Sequence, residues 1–125
     1  MSDILSEATS WLHSTRAEYM TKTVTYSRGA ASVEVAATVG RTVFRTVEDY
    51  GVEVREVSRD YLITAADLIL AEVVVRPVAG DQIEEVGGET TYTYEVMSFA
   101  GEPEWRWSDP HYDTLRVHTK LVNEE

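Results

Sequence analysis

The segment DYLITAADLILAEVVVRPVAGDQIEEVGGETTYTYEV, from Asp60 to Val96, decides how the chain is read. It joins a short apolar run (Tyr61 to Ile63), one turn's worth of helix formers (Ala65 to Leu70) and a β-branched run (Val73 to Val75). A hard turn follows through Arg76, Pro77, Val78, Ala79, Gly80 and Asp81, and a strand restarts at Ile83. Pro77 has no N–H and a fixed φ, so the preceding strand must end there or lie at an edge. Gly80 admits a positive φ without steric cost, and Asp81 can bond back to nearby backbone N–H groups. Gly87 and Gly88 make a second turn, after which Tyr92, Tyr94 and Val96 alternate with Thr91, Thr93 and Glu95. Short strands punctuated by such turns predict a small β domain.

The flanks carry the same period of two. Upstream, Thr21, Thr23 and Thr25 alternate with Lys22, Val24 and Tyr26, and Ser27-Arg28-Gly29-Ala30 turns the chain. Val33, Val35, Ala37 and Val39 then share one face, and Gly40-Arg41 is expected to break the run. Thr42 to Val47 and Val52 to Ser58 flank Asp49-Tyr50-Gly51, a strong hairpin signal. The charges on that hairpin, Arg41, Arg45, Glu53 and Arg55 among them, mix both signs and suit a solvated face. Downstream, Trp105 and Trp107 straddle Arg106 and share one strand face. In the last strand Leu115, Val117 and Thr119 alternate with Arg116, His118 and Lys120, which predicts an exposed or edge-strand His118. Residues 123–125 read as a frayed tail.

Residues 3–20 have a different period. Ser2 or Asp3 can cap a helix in which Ile4, Ala8, Trp11, Leu12 and Thr15 form one stripe, widened by Leu5 and Tyr19. Such a stripe packs on the domain's own sheet or lies in a groove of a neighbouring subunit, with Trp11 as the anchor. The expected fold is therefore mainly β: a small barrel or sandwich of about seven to nine short antiparallel strands. One N-terminal α-helix (1–20) precedes the β domain (21–122), which includes a short mid-chain helical turn, and the whole forms one domain.

Composition excludes more than it assigns. With 22 acidic against 11 basic residues the net charge is −11, which argues against nucleic-acid binding. Cysteine is absent, so disulfides, thiolate metal sites and cysteine nucleophiles are excluded. No run of about 18 apolar residues predicts a membrane span, and no basic-then-apolar start predicts a secretory signal, so the product is expected to stay where it is made. His13, His111 and His118 have no metal-ligand spacing. No serine lies in a nucleophile-elbow context and no glycine loop has phosphate-binding form. Acidic pairs such as Asp109 and Asp113 are those an acid-rich chain produces by chance. No metal, cofactor or catalytic residue is expected. Trp105, Trp107 and Tyr112 admit a second reading, as a stacking platform for sugar, against the simpler one of core or subunit interface. Arg106 stands among Glu102, Glu104, Asp109 and Asp113, which disfavours nucleic acid on that platform.

The order Asp-aromatic-Leu-Ile, Ala-Ala-Asp-Leu, Arg-Pro-x-x-Gly-Asp-x-Ile, glycine turn, Tyr-x-Val resembles the small head-to-tail joining proteins of tailed bacteriophages, also called head-closure, stopper or neck proteins. The segments Glu104 to Pro110 and Leu115 to Lys120 resemble the same group, and the similarity spans residues 38 to 121. The resemblance implies a structural virion protein made in the host bacterial cytoplasm. It would form a homo-oligomeric ring, on the order of six or twelve copies, between the portal or adaptor protein and the tail tube or tail-completion protein. DNA would pass through without sequence-specific binding, which an acidic lumen favours, and no membrane would be involved. Alternatives are a tail-completion or tail-terminator ring and a carbohydrate-binding module built on Trp105 and Trp107. On the ring reading, Trp11, Leu12, Tyr19, Trp105 and Trp107 are candidate interface residues. Pro77, Gly80 and Asp81 form the structural turn, and Arg41, Arg45, Asp49, Tyr50, Gly51 and Arg55 belong to a channel or docking hairpin.

Overall fold

The computed structural model describes residues 21–48 and 50–125. The N-terminal helix expected over 1–20, with Trp11, Leu12 and Tyr19, lies outside the described residues, as does Asp49. What is described is mainly β: β1 (Thr21–Arg28), β2 (Ala31–Val47), β3 (Glu53–Thr64), β4 (Ile69–Leu70), β5 (Val73–Val74), β6 (Gln82–Gly87), β7 (Thr90–Val96), β8 (Trp105–Trp107) and β9 (Thr114–Glu124). A 3-10 turn, Ala65–Asp67, is all that forms of the mid-chain helix, because the chain enters β4 at Ile69.

The main sheet runs β3-β2-β1-β6-β7-β9-β8, and a further β3–β9 pairing closes it into a barrel. β9 borders β3 along one edge, from Thr114 to Thr119, and β8 then β7 along the other. Closure pairs most of the edges through which small sheets otherwise aggregate. Inside lie Val24, Tyr26, Val35, Ala37, Tyr61, Ile63, Ile83, Val96, Leu115 and Val117, all buried. They occupy alternate positions because a strand turns successive side chains to opposite faces. Each large aliphatic among them stabilises the fold by about 1.5–3 kcal/mol through burial.

Two expectations need correction. Gly40 does not interrupt its strand: β2 runs unbroken from Ala31 to Val47. A Cβ at Gly40 would sit 3.2 Å from the guanidinium of Arg116, which crosses over the strand here, so the glycine serves a close approach and not a turn. Asn123 and Glu124, set apart as a frayed tail, are the last residues of β9, paired with Thr93 and Tyr92, and Glu125 exchanges backbone hydrogen bonds with Thr91.

β2 and β3 outrun their neighbours. Among the described residues β1 borders β2 as far as Thr38 and β9 borders β3 as far as Arg59, while β2 and β3 stay paired out to Val47 opposite Glu53. From the Thr42–Ser58 rung outward the two strands have no flanking strand among the described residues, which gives a ribbon projecting roughly 20 Å. Gly51, at φ 78°, closes its tip, where Tyr50 is 91 % exposed.

Candidate functional site

The ribbon is the element whose exposure a core-building sequence does not require. One face carries Arg41, Val43, Arg45 and Val47 from β2 opposite Arg59, Val57, Arg55 and Glu53 from β3. It continues the inner face of the barrel, so residues that would be core two rungs earlier here meet solvent. Val43, Val57 and Val47 are 43, 55 and 73 % exposed. Glu53 lies 3.5 Å from Arg45 and 3.3 Å from Arg55, a shared and solvated contact worth little by itself.

The other ribbon face is anchored. Phe44 stacks on Phe99 with ring centroids 5.3 Å apart and meets the His118 ring edge-on at 5.1 Å. Beneath them lies a polar cluster. Asp60, fully buried, accepts hydrogen bonds from Ser58 Oγ (2.5 Å), Arg116 Nε (2.6 Å), His118 Nδ1 (2.8 Å) and the Thr42 hydroxyl. Arg116 also reaches the Arg41 carbonyl through Nη2 at 2.9 Å. Burial opposes ionisation of Asp60, but the donors His118, Ser58, Thr42 and Arg116 outweigh it and hold the carboxyl down at about 2. The carboxylate thus ties β2, β3 and β9 together where the ribbon leaves the barrel.

His118 is therefore buried, against the expectation of an exposed position. Alternation does turn it outward, but the outer face at this row is covered by Phe44 and by the segment holding Phe99. Ser58, His118 and Asp60 are also the residue types of a hydrolytic relay. The geometry lacks the order that chemistry needs: Ser58 and Asp60 both address the same ring nitrogen, Nδ1, at 3.3 and 2.8 Å. A serine relay requires the hydroxyl on one nitrogen and the carboxylate on the other.

Two further carboxylates close the barrel's ends. At the ribbon end, Glu85 accepts from Arg59 (2.8 and 2.9 Å), from Tyr61 (2.8 Å) and from Lys22 (3.0 Å), and the Arg59 guanidinium lies over the Tyr94 ring at 5.0 Å. At the far end, Asp81 pairs with Arg28 (2.9 Å) and the Tyr26 hydroxyl and accepts from Val78 N at 3.1 Å. Gly80 stands at φ 98° in the same turn, which follows Pro77. For both carboxylates burial favours the neutral acid, and the arginine with its companion donors overcomes this, so each ionises below the usual carboxylate range.

The aromatic group is brought together but presents no flat platform. Trp105 and Trp107 pack against the core with rings at 89°, Tyr112 lies 5.4 Å from Trp107 at 61°, and the Arg76 guanidinium lies 5.2 Å over Trp107. Sugar and base stacking need an open ring face. Among the described residues, no group of three or more His, Asp or Glu could hold a metal ion, and no helix is long and apolar enough to cross a membrane.

Sequence reasoning marked Arg41, Arg45, Tyr50, Gly51 and Arg55, which the structure gathers on the ribbon, and missed Ser58, Asp60 and Glu85. Of these only Asp60 directly faces a residue of complementary type, His118, and that pairing becomes visible only once the β3–β9 register is known.

The family described as phage head-tail joining protein matches residues 2–125, almost the whole chain. No curated protein and no solved structure matches it. The chain belongs to the phage head-tail joining family, whose role is structural: a connector component of the virion neck that interacts with other head and tail proteins.

Proposed function

We propose that this head-tail joining protein forms a closed ring between the portal or adaptor and the tail, holding packaged DNA inside the filled head and presenting a platform for tail attachment. The observation that carries the reading is the ribbon. Closure pairs the body of the barrel with itself, so contacts with other subunits are left to side-chain faces and to the projecting ribbon. The ribbon projects roughly 20 Å, is rooted in a buried ionic cluster, and has one face that the other described residues leave exposed. The N-terminal segment, with Trp11, Leu12 and Tyr19, supplies a second contact toward the portal side, and Trp105 and Trp107 border a subunit interface. The net charge of −11 lets DNA pass through the ring without sticking.

The test uses DNA-filled heads of the encoding phage prepared without this protein. Adding the purified chain is expected to block DNA release and restore tail joining. A variant with residues 43–56 replaced by a short turn should fold and fail in both assays. Heads that retain DNA and accept tails equally well without the chain overturn the proposal.

A further inference from the structure

We infer that the exposed Arg/Val face of the β2–β3 ribbon docks on the acidic outer face of β1, β6 and β7 of a second copy of this chain, placing Arg41, Arg45 and Arg55 opposite Glu34, Glu84 and Glu95. The inference deepens the proposed ring and rests on it for the presence of a neighbouring copy.

The ribbon alone is electrostatically unsatisfied. Arg45 stands directly across from Arg55, and Arg41 across from Arg59. Like charges at such positions destabilise a sheet. Arg59 escapes by turning into the barrel mouth to meet Glu85. Arg45 and Arg55 share the single carboxylate of Glu53, and no carboxylate lies within ion-pair range of Arg41 among the described residues. Guanidinium groups aligned this way call for carboxylates from outside.

The same chain offers them. The outer face of β1, β6 and β7, with the adjoining part of β2, carries Glu34 and Glu84 in one row, linked through Thr25, and Glu95 one strand further on. Its remaining outward positions on those strands are Thr, Ser, Ala, Gln and Val, with no Lys or Arg; Lys120 stands at the border, beside Glu95. Two strand spacings separate Glu34 from Glu84, about 10 Å, and a step of four residues separates Arg41 from Arg45, about 13 Å, a mismatch that arginine side chains absorb.

Two facts favour this partner over DNA. The arginines alternate with Val43, Val57 and Val47, all exposed, and phosphates would leave these wet. The acidic face instead supplies Val86, 67 % exposed, and threonine methyls. Copies each bearing −11 repel one another unless opposite patches meet, and this contact brings them together. Because the two patches differ, the contact is head-to-tail, the kind that closes into rings.

The test is a charge swap on the full chain, read by sedimentation velocity at high protein concentration and low salt, with melting curves as the folding control. Wild type is expected to form rings. R45E/R55E and E34R/E84R should each lose self-association at least tenfold while melting as wild type does. An equimolar mixture of the two should form rings again, since each then offers the other a complementary pair of faces. Wild type that stays monomeric, variants that assemble unchanged, or a mixture that stays apart overturns the inference, as does duplex DNA binding that is lost in R45E/R55E. If R45E/R55E still closes heads while wild-type rings form through another surface, this inference fails and the proposed function stands. If the mixed rings form but neither they nor wild type retains DNA, the reverse holds.

Discussion

His118 Nδ1 lies 2.8 Å from Asp60 Oδ1, with both side chains buried and Arg116 Nε 2.6 Å from the other carboxylate oxygen. Asp60→Asn keeps the shape and removes the charge, leaving Arg116 without its anion and one amide N–H aimed at a donor. Breaking a buried pair this way costs about 3 kcal/mol, because the remaining charge stays desolvated. Urea unfolding should show the loss as a lower midpoint with an unchanged slope. An unmoved midpoint would mean that water reaches Arg116 well enough to replace the carboxylate.

The same carboxylate sets an acid limit. Folding lowers the Asp60 pKa from 3.8 to about 2, so the folded protein holds its proton less tightly than the unfolded chain. The resulting stabilisation, on the order of 2 kcal/mol, is complete above about pH 4 and is lost as pH falls toward 2. Asp81 and Glu85 are displaced in the same direction and add to the acid sensitivity. Wild type should therefore lose stability steeply between pH 4 and 2 in thermal melts, and Asp60→Asn should show a flatter profile there. Parallel profiles would remove Asp60 as a cause.

Alternation along β1, β7 and β9 and the glycine turns made the strand-rich fold legible, because those signals are local. Closure was not, since the β3–β9 pairing joins Arg59 to Thr119 across half the chain. Gly40 misled because a glycine in a strand has two uses, turning and close approach, and only the crossing of Arg116 decides between them. His118 misled because period two tells which face a residue takes but not whether another segment covers that face. The ribbon residues were named from the Asp-x-Gly turn, whereas the Arg–Arg rungs that give their face its character depend on register.

Glu85 tests whether its network is worth more than apolar packing. Glu85→Leu alone should cost about 3 kcal/mol, as it strands Arg59 and the Tyr61 hydroxyl. Replacing the group together, as Arg59→Leu, Tyr61→Phe and Glu85→Leu, removes the unpaired partners, and Lys22, 45 % exposed, can turn to solvent. The triple variant should recover at least half of the single variant's loss in chemical denaturation. Losses that add would show that the three residues act independently.

Gly80 separates backbone strain from crowding. Its φ of 98° is unfavourable for any residue with a Cβ, yet a Cβ built there meets nothing within 4 Å. Gly80→Ala should therefore cost about 1–2 kcal/mol through conformation alone, and Gly80→Val somewhat more because it is β-branched. Thermal melting of both variants checks this, and an unchanged midpoint in Gly80→Ala would reject a requirement for positive φ.

Phe44 decides whether the ribbon is held as a rigid arm. Past Thr42 the two strands have only each other as strand neighbours among the described residues, and an isolated two-stranded ribbon is marginal in water. What stiffens its root is the Phe44–Phe99 stack over the Asp60 cluster. Phe44→Ala removes a half-buried ring and should cost roughly 2 kcal/mol. The loss should fall on one region: amides from Thr42 to Ser58 should exchange at least tenfold faster while those of β6 and β7 keep their rates. Phe99→Ala should reproduce that pattern, and the double variant should add little, since the rings stabilise the ribbon only as a pair. Uniform acceleration across the barrel would instead make Phe44 part of the common core, and unchanged ribbon exchange would leave the backbone ladder as its sole support.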